Sequence, residues 1–228
     1  MLARIETANR DYANVARIPV PARSVSALAN AFALMGAQMR YRQNSEIYGE
    51  AEPCEYLYEV VSGAVRTSKL LSDGRRLIDA FHLPGDIFGI ESGDEHSFTA
   101  EAVADAKVRM VKLSALRGMA ERDSDLAADL RKCVTAKLRA TQDHMVLLGR
   151  KTAEERVAVF LLGMATISRT GGPVELPMSR QDIADYLGLT IETVSRTLTQ
   201  LRNRSAIELP TARRITLCDR AALQRLDA

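Results

Sequence analysis

Glu192, Ser195, Arg196 and Thr199 recur at i, i+3, i+4 and i+7, a spacing that lines them along one polar stripe of a helix. Their chemistry suits the edges of nucleobases. A guanidinium such as that of Arg196 forks onto guanine O6 and N7, a carboxylate such as that of Glu192 accepts from cytosine N4, and the Ser195 hydroxyl bonds to or packs beside thymine. Each good pairing rejects the wrong base by about 1–3 kcal/mol. The competing reading is a solvated Glu192–Arg196 ion pair at i and i+4, worth roughly 0.3 kcal/mol.

Which reading holds depends on the elements around the stripe. Val194, Leu198 and Leu201 fall at i, i+4 and i+7 on another face, where they fasten the helix inward. Upstream, Ser179 can cap a shorter helix with Asp182 answering as in a capping box, and Ile183, Ala184 and Leu187 share its apolar face. Gly188 supplies the positive φ of a sharp reversal, and Thr190 offers the second N-cap. Two amphipathic helices joined this way form the layout of a helix-turn-helix, which favours base reading over the ion pair. Arg180 at the first helix start, the hydroxyls of Thr190, Thr193 and Thr199, and Arg213 and Arg214 in an expected β-hairpin wing are candidates for phosphate contacts. Arg202 and Arg204 are weaker ones, and ordinary surface charge is the alternative for each.

At this point the residues carry a resemblance. Glu192-Thr-Val-Ser195-Arg196 is similar to the Glu-x-x-Ser-Arg recognition signature of the Crp/Fnr family of bacterial transcription regulators, in its Fnr/FixK branch. The Crp branch has another residue at the Ser195 position. Residues 149–162 (Gly-Arg-Lys-Thr-Ala-Glu-Glu-Arg-Val-Ala-Val-Phe-Leu-Leu) resemble the family's segment between dimer helix and DNA-binding domain, and the likeness covers nearly the whole chain. The resemblance implies a homodimer on double-stranded DNA, at a TTGA-N6-TCAA-type palindrome, with Glu192, Ser195 and Arg196 making the base contacts. It also implies an activator that engages RNA polymerase and serves oxygen-limited respiration or nitrogen fixation.

Composition fits such a protein. With 46% hydrophobic and 26% charged residues over 228 positions, the chain can fold into two domains and is neither disordered nor membrane-spanning. It lacks a basic-then-apolar leader, so the cytoplasm is the expected location. The formal net charge of +2 is too small to argue for nucleic acid alone; a modest basic excess lies between residues 126 and 173.

The expected architecture is α+β: an arm over 1–23, a β-roll over 24–123, a dimerisation helix over 124–149 and a winged helix-turn-helix over 150–228. Residues 54–70 are rich in strand formers, Asp73-Gly74 supplies a hairpin turn into 77–83, Pro84-Gly85 redirects the chain, and 108–113 alternates as a closing strand. The resemblance makes this roll a double-stranded β-helix of the cyclic-nucleotide-binding kind. Leu126, Leu130, Val134, Leu138, Thr141, Met145 and Leu148 advance by threes and fours, the period of a coiled-coil seam or of a core helix. A single reading helix covers few base pairs, so a symmetric dimer with half-sites about 34 Å apart favours the seam.

In cyclic-nucleotide-binding relatives an acid holds the ribose and an Arg-Ser or Arg-Thr pair clamps the phosphate. Here the matching stretch offers Ile90, Glu91, His96 and Ser97, a degenerate pocket in which histidine replaces the phosphate-gripping arginine. No cyclic nucleotide, other cofactor or metal is expected, the alternative being a regulator gated by a small molecule or by haem on His82. Cys54, Cys133 and Cys218 cannot supply the four ligands of an iron–sulfur cluster and suit a reducing compartment, with a redox role the minority reading. A cysteine in place of Ser179 would be an oxidation-prone thiol beside phosphate. A cupin-like metal enzyme needs clustered His and Glu, and His82, His96 and His144 are too scattered for one, so the chain is expected not to be an enzyme.

Overall fold

The computed structural model describes residues 27–167 and 172–227; the arm expected over 1–23 lies outside them. Helix α1 (Ala27–Met35) leads into an antiparallel sheet in which two long strands, β3 (Tyr56–Leu70) and β6 (Thr99–Lys112), pair along their length. Strand β1 (Ala37–Tyr41) and β2 (Glu46–Tyr48) pair with β6, whereas β4 (Arg76–His82) and β5 (Ile87–Phe88) pair with β3. Register shifts at residues 60–65 bend β3, and Gly63 sits there with φ +83° where a Cβ would collide with the Asp105 carbonyl. These bends curl the sheet into a roll lined by Tyr48, Tyr58, Val60, Val65, Phe88 and Val108.

The Ser72–Arg75 turn forms as expected: the Leu71 and Arg75 backbones pair across three residues, with Gly74 at φ +83°. Two expectations need correction. The closing strand runs over 99–112 and not 108–113, because Leu113 turns inward to start helix α2 (Leu113–Ala120), which packs on helix α3 (Ser124–Arg150). The second concerns the seam.

Asp123 caps α3 by accepting from the N–H groups of Asp125 and Leu126. Leu126 then disappears into a cluster with Leu28, Phe32, Leu57 and Leu116, and Leu130 and Cys133 pack beside it. The first turns of α3 are thus spent on their own protomer. Val134, Leu138, Thr141 and Met145 remain exposed, Met145 at 67%, whereas Leu148 is half-buried near Gly188.

After α3 the chain forms α4 (Ala153–Ile167), β7 (Val174–Glu175), α5 (Arg180–Leu187), α6 (Ile191–Asn203), β8 (Ile207–Thr211), β9 (Arg214–Leu217) and α7 (Arg220–Asp227). Its apolar core includes Phe160, Leu187, Leu198 and Ile215. That core does not stop at the domain edge. Ile78, Phe81 and Leu83 of the roll belong to it, and Phe81 lies 5.4 Å from the Tyr186 ring.

Candidate nucleic-acid interface

Helix α5 begins at a complete capping box. Ser179 Oγ accepts from the Asp182 N–H at 3.0 Å, and Asp182 Oδ2 accepts from the Ser179 N–H at 2.9 Å. Gly188 ends the helix at φ 61°, its N–H returning to the Ala184 carbonyl. Thr190 caps α6 through the Thr193 N–H at 3.2 Å. Both caps and the turn therefore stand where the residue types placed them.

Val194, Leu198 and Leu201 are buried beneath α6, joined by Thr197, which the spacing argument had not included. Glu192, Ser195, Arg196 and Thr199 are exposed on the other side. The Glu192–Arg196 ion pair does not form. Glu192 accepts from its own N–H and from the Thr190 hydroxyl, which hold its carboxyl below the usual carboxylate range. Among the described residues Arg196 has no ionic partner, so its fork is unspent. The Thr199 hydroxyl donates to the Ser195 carbonyl.

The expected wing exists as β8 and β9, with β7 alongside. Arg213 is exposed at its tip, while Arg214 reaches Glu175 at 3.0 Å. Arg204 pairs with Glu154, and Arg180 is half-buried with Nη1 shut away from solvent and without a partner. Burial pushes the Arg180 guanidinium below its ordinary pKa.

Sequence reasoning missed the residue that ties these parts together. The Arg156 guanidinium donates to the Leu148 and Lys151 carbonyls at the end of α3 and to the Leu187 carbonyl at the end of α5, at 2.8, 2.9 and 2.8 Å. His144 adds a second tie, donating to the Tyr186 carbonyl at 2.8 Å and stacking on its ring. A cation at two helix C-termini satisfies carbonyls that neither helix can satisfy itself. The basic residue inside an amphipathic stretch was the only available signal.

The roll encloses a cavity of about 80 Å³, well below the ~300 Å³ at which small-molecule sites begin. Ile90, Glu91 and Ser97 are among the residues that line it; His96 is not. His96 instead stacks on Tyr48, ring centroids 3.6 Å apart, with Nδ1 3.7 Å from Glu91 Oε1 and neither nitrogen within hydrogen-bond geometry. Ser97 is already engaged: its hydroxyl and N–H both donate to Glu91, at 2.8 and 3.2 Å. The donors that an anion would need are held by an internal carboxylate. Across the cavity Lys137 of α3 pairs with Asp79, and His82 meets the Thr67 hydroxyl at 3.2 Å. Burial, aided by Lys137, pushes His82 down to about 3. Among the described residues no three His, Cys, Asp or Glu side chains converge as a metal site would require.

Cys54 and Cys133 are half-buried, and burial raises both thiols above the ordinary cysteine value. Cys218 is exposed beyond β9. No described helix is long and apolar enough to cross a membrane.

A winged helix-turn-helix carried behind a β-roll and a long helix is the build of a DNA-binding transcription regulator. Comparison with known proteins agrees: residues 38–123 match the model of the cyclic nucleotide-binding domain, and residues 155–226 that of the Crp-like helix-turn-helix domain. The nitrogen fixation regulation protein FixK of Azorhizobium caulinodans is 51% identical over 205 residues, covering 88% of this chain and 83% of that protein. FixK of Rhizobium meliloti is 46% identical over 186 residues, covering 82% and 85%. The solved structure of FixK2 from Bradyrhizobium japonicum aligns with a TM-score of 0.83 at 54% identity, covering 86% of this chain and 98% of that one. The chain belongs to the Crp/Fnr family of transcription regulators, and within it to the FixK type.

Proposed function

We propose that this protein is a homodimeric activator that reads a TTGA-N6-TCAA-type palindrome and recruits RNA polymerase, in control of nitrogen fixation or oxygen-limited respiration. The observation that carries the reading is the free Arg196 fork beside exposed Glu192 and Ser195, on a helix whose opposite face is fully anchored. That arrangement suits insertion into a major groove. Arg213, exposed at the wing tip, suits a phosphate; the Thr190 and Thr193 hydroxyls, which bond to each other at 3.1 Å, and Arg180, Thr199 and Arg214 would each have to leave their present setting to do so. The exposed Val134, Leu138, Thr141 and Met145 stripe supports pairing of two α3 helices. The named function of the FixK relatives supports the physiological role. The small cavity and the internally satisfied Ser97 support DNA binding without a cyclic nucleotide.

Titration of matched and mutated duplexes tests the base-reading role. Arg196→Ala is expected to cost about 1–3 kcal/mol at the guanine-containing site and to flatten discrimination at that base. Arg213→Ala should weaken all sequences evenly and reduce the dependence on salt. Equal behaviour of the two variants would refute the assignment.

A further inference from the structure

Asp182 does more than cap a helix. Its Oδ2 accepts from the Ser179 N–H and hydroxyl, at 2.9 and 2.7 Å, while its Oδ1 faces the roll. There it accepts from Arg66 Nη1 of β3 at 3.0 Å and from Arg76 Nη2 of β4 at 2.6 Å. Arg66 is steadied in turn by Glu101 at 3.0 Å, and Arg76 Nε reaches Asp185, one turn further along α5, at 2.8 Å. The Arg66 and Asp182 side chains are 9% and 6% exposed. One carboxylate thus starts the first helix of the helix-turn-helix and ties that helix to two strands of the roll.

Buried ion pairs add little net stability, because desolvation offsets the attraction; their best-attested use is to fix one arrangement among several. The apolar contact between Phe81 and Tyr186 already holds the domains together. An apolar contact is non-directional, whereas guanidinium–carboxylate forks fix an angle. Lys137 of α3 meets Asp79 on β4, the strand that carries Arg76, so the same hairpin faces the dimer helix on one side and α5 on the other.

We propose that Arg66 and Arg76 are positioning residues for DNA recognition: acting through Asp182 and Asp185, they set the angle of the helix-turn-helix against the roll and so the separation of the two reading helices in the dimer. This rests on the palindrome reading above. The arginines touch no base. Their effect falls on which half-site spacing is accepted and not on which bases are read.

The test is a spacing series. Duplexes carry the two half-sites at the six-base-pair spacing and at spacings one or two pairs shorter and longer, beside a duplex with a single half-site. Each added pair moves a half-site by about 3.4 Å and about a tenth of a turn. The wild-type dimer is expected to prefer one spacing by at least about tenfold. The Arg66→Gln/Arg76→Gln variant should bind the single half-site as wild type does, keep its base preferences, and distinguish spacings by less than about threefold. Arg76→Lys, which keeps the charge without the fork, should fall between. Arg76→Gln alone, at a side chain 27% exposed, gives a partial loss and serves if the double variant does not fold. An unchanged spacing preference in a folded variant overturns the proposal, as does a parallel loss of half-site and palindrome affinity. Failure of the wild type to bind any spacing overturns the palindrome reading itself.

Discussion

Asp86 sits where Pro84-Gly85 turns the chain, accepting from the Leu83 N–H at 2.8 Å, and burial pushes its carboxyl up to about 7 from an ordinary value of 3.8. Between those values the native state keeps a proton that the unfolded chain has released. Stability therefore falls as pH rises through this window, by about 1.4 kcal/mol per unit for this group, and levels off above it. Asp86→Asn should match wild type near pH 4 and gain steadily toward pH 7, as chemical denaturation at a series of pH values would show. His82, lowered from 6.5 to about 3, works the other way: the unfolded chain binds the extra proton, so its share of stability rises with pH across that range. Gly188 offers a backbone test. An alanine there would hold φ near 61° with its Cβ 3.3 Å from Leu148 Cδ2, costing about 1–2 kcal/mol in thermal or denaturant unfolding. Ser179, Gly188 and Thr190 were legible because caps and turns are decided within a few residues. Arg156 and the second role of Asp182 were not, since their partners lie across a helix junction or a domain boundary that local spacing does not encode, and Asp86 was not because its burial depends on the rest of the roll.

Among the elements, α3 shows what periodicity can and cannot say. An i, i+3/i+4 pattern marks a buried stripe without naming what buries it. The seven-residue stripe divides: Leu126 packs on α1 and α2, Leu148 abuts the helix-turn-helix, and Val134, Leu138, Thr141 and Met145 between them are exposed. Helices α1 and α2 went unseen because each is short and α2 follows directly on a strand, so Leu113 read as the end of an alternating run. The division is measurable. Leu126→Ala should lower unfolding stability by about 2–5 kcal/mol, as cavity-forming core truncations do. Leu138→Glu should leave protomer stability nearly unchanged and shift sedimentation toward monomer; a variant that unfolds without dissociating would contradict the assignment of that stripe.

For the whole molecule, the shared core matters more than the boundary between its parts. Length and composition allowed two domains and the family resemblance supplied the fold class, but nothing in the sequence revealed that Phe81 of the roll would pack with Phe160 and Tyr186 of the DNA-binding half. With apolar burial and the Arg66/Arg76 clasp both crossing the boundary, calorimetry should record one cooperative unfolding transition, not two. Two resolved transitions would mean that the halves melt independently. Arg156 has a mechanical consequence at this scale. Because one side chain closes the ends of both α3 and α5, Arg156 joins the rod to the reading head, while the Arg66/Arg76 clasp holds the same head against the roll. A displacement entering along the 27-residue rod would therefore load the Arg156 junction and the roll clasp together.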